Sequence, residues 1–225
     1  GSIGLIVDVG GGTSDFSLFR SGREGVSILA NHGVRIGGTD FDRSLSIDRV
    51  MPHLGKGTEL RKILGPGSTP TPNAIFNDLA TWEMIAFLYT PQNRRLAAEM
   101  ARLAYQPEKL SRLAKVLEDE LGHDLAFAVE RGKIAANGGA ERAAILLDEI
   151  EPGWSVPLSA EALAESLARH AEALAEGARE TLRIAGLDVA RVEKVIYVGG
   201  SSLMSMVSQA MKAQFPRAVH SFSEV

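Results

Sequence analysis

Two aspartates flank a glycine triplet and a hydroxyl near the start of the chain: Asp8-Val9-Gly10-Gly11-Gly12-Thr13-Ser14-Asp15. They follow the apolar run Ile3 to Val7. This order of residue types suits a turn that touches a phosphate while an aspartate faces a metal ion. Glycine lacks a Cβ, so oxyanions can come close to its N–H group. Successive N–H groups in such a turn form an anion-binding concavity. Asp8 and Asp15 are the candidate catalytic carboxylates, able to hold hydrated Mg²⁺ or orient an attacking water. Gly10, Gly11 and Gly12 would give N–H groups to the β- and γ-phosphates, and Thr13 would add a hydroxyl. A tight hairpin with solvated aspartates would use the same residues.

A second glycine turn lies near the other end, in Val198-Gly199-Gly200-Ser201-Ser202. If a helix follows it, its N–H groups and the helix dipole would suit an anion; an ordinary strand-to-helix turn reads the same way. Gly37-Gly38-Thr39-Asp40 offers a third turn, or simply a capped helix start. Glu130 and Lys133 are three residues apart, with Asn137 one turn later. On a helix they share roughly one face and could contact a nucleoside, or form a solvated ion-pair face. Competing chemistry finds no motif. Gly55-Lys56-Gly57-Thr58 has the wrong spacing for a P-loop, Leu203 breaks the hydrolase elbow pattern after Gly199, and the five histidines are scattered without metal-ligand spacing.

The elements needed to position these residues are also legible. Ile3–Val9, Phe16–Phe19 and Val26–Ala30 read as three strands of an antiparallel meander. Phe41, Leu45, Ile47 and Val50 suggest a helix capped by Thr39 or Asp40. Residues 52–72 are rich in proline and glycine and read as a loop. From Asn73 to Ala136 the pattern is helical, with breaks at Pro91 and Pro107. Leu110, Leu113, Leu117, Leu121, Leu125 and Val129 form one long apolar stripe on a helix face, closed at Asn137-Gly138-Gly139. Ala143–Ile150 reads as a strand, Ser159–Ala185 as a long helix with Ser159 at its N-cap, and Lys194–Val198 as a strand. After the glycine turn, a helix carries Leu203 to Phe215, and Val219 belongs to a last strand. The outline is a β-rich front, a helical middle and a β–turn–helix end.

The 225 residues carry 45% apolar and 23% charged side chains, which excludes wholesale disorder. A net charge of −4 argues against a nucleic-acid partner. No apolar run spans a bilayer, so no membrane role is expected. The absence of cysteine excludes disulfides and fits a cytoplasmic protein. The opening Gly-Ser, a strand with almost no lead-in and the stop at Val225 suggest a piece of a longer protein.

Ile6 to Asp15 resembles the second phosphate motif of the actin-like ATPase superfamily, in its DnaK-type heat-shock chaperone version. Gly37-Gly38-Thr39-Asp40-Phe41-Asp42 is similar to the glycine–acid–phenylalanine segment that follows it there, and Val195 to Ser202 to the family's adenosine motif. Glu130, Lys133 and Asn137 sit where these chaperones place an adenosine-contacting Glu, Lys and Ser. The motifs cover nearly the whole chain in the right order. The middle segment, with Glu118 to His123 and the proline-rich loop, looks most like the YegD branch, whose members lack the usual peptide-binding domain.

The resemblance implies an α/β fold: a ribonuclease H-like core with a mixed sheet, formed by residues 1–50 and 186–225, and a mainly helical inserted subdomain, residues 51–185, that closes over the nucleotide. It implies ATP or ADP with Mg²⁺ as ligands, held by Asp8, Asp15, Gly10, Gly11, Gly12, Thr13, Gly38, Glu130, Lys133, Asn137, Gly199, Gly200 and Ser201. The chain would be the second lobe of an ATP-hydrolysing domain. The first lobe, which supplies another phosphate loop, would be absent, and this piece alone inactive. The parent's partners would include unfolded polypeptide or a co-chaperone. A sugar or acid kinase of the same superfamily and a non-catalytic actin-like scaffold are the alternatives; the Glu130/Lys133 spacing favours the chaperone type. Thr39 replaces the usual glutamate, Asn137 a serine, and Leu203 an arginine that stacks on adenine, so the cation–π contribution there is absent.

Overall fold

The computed structural model describes residues 1–223. The protein is α/β with a five-stranded mixed sheet. The chain divides into two compact units, one of residues 1–41 and 167–225, the other of residues 42–166.

The first unit holds the sheet. Strands β1 (Ser2–Val9), β2 (Ser14–Gly22) and β3 (Gly25–Val34) form the expected antiparallel meander. The late strands β8 (Lys194–Val198) and β9 (Val219–Phe222) join it in parallel, giving the order β3-β2-β1-β8-β9. β1 is central, which accounts for its near-continuous apolar run. Ile3, Leu5, Val7 and Val9 point to one face and are buried with Phe16 and Leu18 of β2. Residues 167–185 of the long helix α6 (Ala160–Ala185) lie on this face, where Gly177 meets the Phe16 ring. Asp8 and Asp15 point to the opposite face, because side chains alternate along a strand.

Helix α1 (Gly38–Arg49) starts earlier than its caps suggest. Asp40 does not cap forward; its carboxylate accepts from the Gly37 N–H at 2.9 Å. Between β8 and helix α7 (Ser205–Gln214) a 3₁₀ turn covers Gly200–Leu203. The helix expected directly after Ser201 therefore begins four residues later.

The second unit is mainly helical. Helix α2 (Asn73–Leu79) and a 3₁₀ segment (Trp82–Leu88) precede α3 (Pro91–Leu103) and α4 (Pro107–Glu118). Pro91 and Pro107 occupy the first positions of their helices, where a missing N–H costs nothing. The single stripe expected from Leu110 to Val129 is two helices, α4 and α5 (Gly122–Asn137). The Leu121 N–H closes α4 by reaching back to the Val116 carbonyl, with Glu120 at φ 55° in the position usually taken by glycine. Nothing in the apolar spacing marks that break.

Residues 52–72 are not all loop. The short strands β4 (Glu59–Arg61) and β5 (Ser68–Pro70) form a hairpin closed through Lys62 N–H to Gly67 O. The strand expected over 143–150 is a second small hairpin, β6 (Ala144–Leu146) and β7 (Ser155–Pro157). Ser159 does cap α6, accepting from the Ala162 N–H at 3.0 Å. Among the described residues no helix is long and apolar enough to cross a membrane.

Candidate functional site

The β1–β2 ladder pairs Asp8 with Asp15 and Val9 with Ser14. Cross-strand partners project on the same face, with Cβ atoms about 5 Å apart. Each carboxylate also leans on a glycine in the next segment. A Cβ on Gly199 would lie 2.9 Å from Asp8 Oδ1, and one on Gly33 would lie 2.8 Å from Asp15 Oδ1. The fold has cleared side chains from beside both acids.

Three glycine turns meet at this end of the sheet. The Gly38 N–H donates to Gly10 O at 2.9 Å and the Thr39 N–H to Gly11 O at 2.8 Å. The Thr39 hydroxyl donates to the same Gly11 carbonyl at 2.7 Å. Gly37 leaves no room for a side chain, since its Cβ would fall 2.6 Å from the Gly10 and Gly11 backbone. Gly199 has φ 85°, and its Cβ would fall 2.5 Å from Val9 O. A Cβ on Gly38 would overlap the Ser201 hydroxyl. The turns at 10–13, 37–39 and 199–201 are therefore knitted into one backbone cluster beside Asp8.

The glycines divide into two kinds. Gly37, Gly38 and Gly199 are required by close approach within the chain. Gly11, Gly12 and Gly200 are not: none has a positive φ, and a Cβ on any of them would meet nothing within 4 Å. A tight turn needing left-handed backbone does not account for them.

The amide donors differ from expectation in detail. The Gly10 N–H is used in the hairpin, donating to Thr13 O at 2.9 Å, and the Gly38 N–H is used on Gly10. Among the described residues, the N–H groups of Gly11, Gly12, Thr13, Gly200 and Ser201 meet no acceptor. Gly11, Gly12 and Thr13 are exposed, and Ser201 is half-buried. Because α7 starts only at Ser205, its dipole does not stand at the Gly199 turn; the free donors there belong to the 3₁₀ turn. Ser202, by contrast, is spent on the fold, its hydroxyl donating to Gly199 O at 2.6 Å.

Two carboxylates fit a hydrated Mg²⁺, which keeps several waters and takes one or two protein carboxylates together with phosphate oxygens. Among the described residues no cluster of three or more acidic, histidine or cysteine side chains could hold a metal without such help.

In the second unit, Glu130, Lys133 and Asn137 all lie on α5 but in different surroundings. Glu130 is exposed and Asn137 half-buried. Lys133 is buried, its side chain only 8% exposed, and its ammonium stands 2.8 Å from Asp42 Oδ1 on α1. Burial pushes the Asp42 carboxyl up, more strongly than Lys133 pulls it down, and Glu130 adds to the rise. The Lys133 ammonium is within hydrogen-bonding distance of Asp42 Oδ1, while the nearby Ser46 Oγ is buried without a hydrogen-bond partner among the described residues.

Sequence reasoning missed Thr39 and Asp42 as working residues. Thr39 looked like a cap and serves as a tie to Gly11. Asp42 was visible as the last residue of the Gly37-to-Asp42 segment, one position past the buried Phe41, but no role was read for it. Leu203 is 62% exposed, an apolar side chain beside the glycine turn. No family model matches the chain.

Proposed function

We propose that this chain is a nucleotide-binding lobe of a DnaK-like ATPase. Gly11, Gly12 and Thr13 receive phosphate oxygens on their N–H groups. Gly200 and Ser201 offer two more donors from the facing turn, and Asp8 and Asp15 hold Mg²⁺. The bound ion would neutralise charge on the phosphate oxygens. Asp8 would orient water toward the terminal phosphate, and the parent would hydrolyse ATP.

The observation that carries this reading is the pair Gly11 and Gly12. Glycine costs conformational entropy on folding, roughly 0.5–1 kcal/mol relative to alanine, and nothing in the chain uses its small size at these positions. A ligand pressed against the turn would use it. The strand order supports the ribonuclease H-like form of the fold: a three-strand antiparallel meander extended by two parallel strands. The exposed Leu203 suits packing against a base. A partner lobe would complete the phosphate clamp, so affinity of this chain alone is expected to be weak.

The test is Mn²⁺ binding followed by electron paramagnetic resonance, with and without ATP. ATP should increase bound Mn²⁺ in the wild type and not in Asp8→Asn. Equal Mn²⁺ uptake by both proteins would overturn the reading. Submicromolar affinity for ATP would contradict the need for a partner lobe.

A further inference from the structure

Two peptide groups of the first glycine turn are gripped from one side. The Gly10 carbonyl accepts from the Gly38 N–H at 2.9 Å. The Gly11 carbonyl accepts twice, from the Thr39 N–H at 2.8 Å and from the Thr39 hydroxyl at 2.7 Å. In a planar trans peptide the C=O and the following N–H point in opposite directions. With both carbonyls turned toward residues 38 and 39, the Gly11 and Gly12 N–H groups both point away from them. Two successive N–H groups on one side make a concavity for an anion.

The Thr39 hydroxyl is surplus to the needs of the backbone. Gly11 O already has the Thr39 N–H, and both residues are exposed, so water could fill the second lone pair. The use of the hydroxyl lies in what it prevents. A Cβ on Gly11 or Gly12 would meet nothing within 4 Å, so sterics set little barrier to rotating the peptide between these two glycines. Such a rotation would turn the Gly12 N–H away from a bound anion and present the Gly11 carbonyl to it instead. A carbonyl with both lone pairs filled from one side is held against that rotation. We propose that Thr39 is a positioning residue: its hydroxyl locks the Gly11–Gly12 peptide with the Gly12 N–H facing the phosphate oxygens of the nucleotide. Thr39 acts through the Gly11 carbonyl and does not touch the phosphate. Its two bonds also polarise that peptide, which makes the Gly12 N–H a stronger donor. This inference rests on the nucleotide reading above, and all of its residues lie in the sheet unit.

The test compares the wild type with Thr39→Val, which replaces the hydroxyl by a methyl of similar size, and with Thr39→Ser, which keeps the hydroxyl. Relaxation dispersion of the ¹⁵N-labelled, ligand-free chain reads microsecond-to-millisecond exchange at the Gly12 amide, and a titration with Mg·ATP reads affinity. The Gly12 amide should be quiet in the wild type and broadened by exchange in Thr39→Val. Mg·ATP should bind Thr39→Val about three- to tenfold more weakly, the effect of losing one neutral hydrogen bond. Thr39→Ser should restore both. Equal affinity of the wild type and Thr39→Val would overturn the inference while the nucleotide reading stands. So would equal weakening in Thr39→Val and Thr39→Ser, or weakened binding with the Gly12 amide alike in all three proteins. Failure of the wild type to bind Mg·ATP would sink both. Should Thr39→Val melt below the assay temperature, Thr39→Ala removes the hydroxyl with a better helix former and should show the same two effects.

Discussion

Asp8 and Asp15 stand opposite each other across the β1–β2 ladder, with both carboxylates on one face of the sheet. Like charges placed directly opposite destabilise a strand pair, by roughly 0.2–1 kcal/mol. No lysine or arginine forms an ion pair with either acid among the described residues. Asp15→Asn should therefore raise the melting temperature in metal-free, low-salt buffer, and the gain should shrink as salt is added. With Mg²⁺ and ATP present, the order should reverse. Thermal melts under the three conditions check this. A variant no more stable than the wild type in metal-free buffer would argue against repulsion between the pair.

The two kinds of glycine should separate on substitution. Gly199→Ala forces a Cβ against Val9 O at φ 85° and should destabilise by about 1–3 kcal/mol. Gly12→Ala meets open space; it should be neutral or stabilise by about 0.4–1 kcal/mol, because it restricts the unfolded chain. Yet it should weaken nucleotide binding. Urea denaturation gives the first quantity and Mn·ATP binding the second. Unimpaired binding in Gly12→Ala would remove the reason for a glycine there.

Asp42 should leave a mark on the pH dependence of stability. Its carboxyl is raised in the folded state, by burial first. The folded protein thus holds this proton more tightly than the unfolded chain does. Its contribution to stability is fully present below the usual carboxylate range and is lost as pH rises through the folded value. Asp42→Asn removes that dependence. The stability difference, wild type minus variant, should therefore fall as pH climbs from the usual carboxylate range toward neutrality. Denaturant midpoints at several pH values measure it, and a difference that grows with pH would refute the assignment.

In the sheet unit, Gly177 of α6 sits on the fully buried Phe16, and a Cβ there would lie 2.6 Å from the ring. Gly177→Val should destabilise by about 1–3 kcal/mol through overpacking. Phe16→Leu should recover part of that loss in the double variant, since the two sites share one contact. Additive losses in a double-mutant cycle would show that the ring is not what confines position 177.

Much of the sheet was legible because β1 carries the near-continuous apolar run Ile3 to Val7 and a glycine-rich turn separates it from β2. Pro91 and Pro107 marked the starts of α3 and α4 by their chemistry. The break between α4 and α5 was hidden because Glu120, not glycine, takes the left-handed position and the leucine spacing runs through it. The hairpins at 59–70 and 144–157 were hidden because three-residue strands carry no periodicity. At the site, the motif residues drew attention to the turns, but not to which amides remain free. Gly10 and Gly38 spend their N–H groups inside the fold, Gly10 on Thr13 in the same turn and Gly38 on Gly10, 28 residues away along the chain. Asp42 was obscured for the same reason, its partner Lys133 being visible only after α1 and α5 are placed together.

The most direct measurement is an amide-resolved NMR titration of the ¹⁵N-labelled chain with millimolar Mg·ATP. The resonances of Gly11, Gly12, Thr13, Gly200 and Ser201 should shift together along one saturating curve, and Asp8→Asn should abolish the response while remaining folded. A titration that leaves these five amides still, or moves only residues remote from them, would contradict the account.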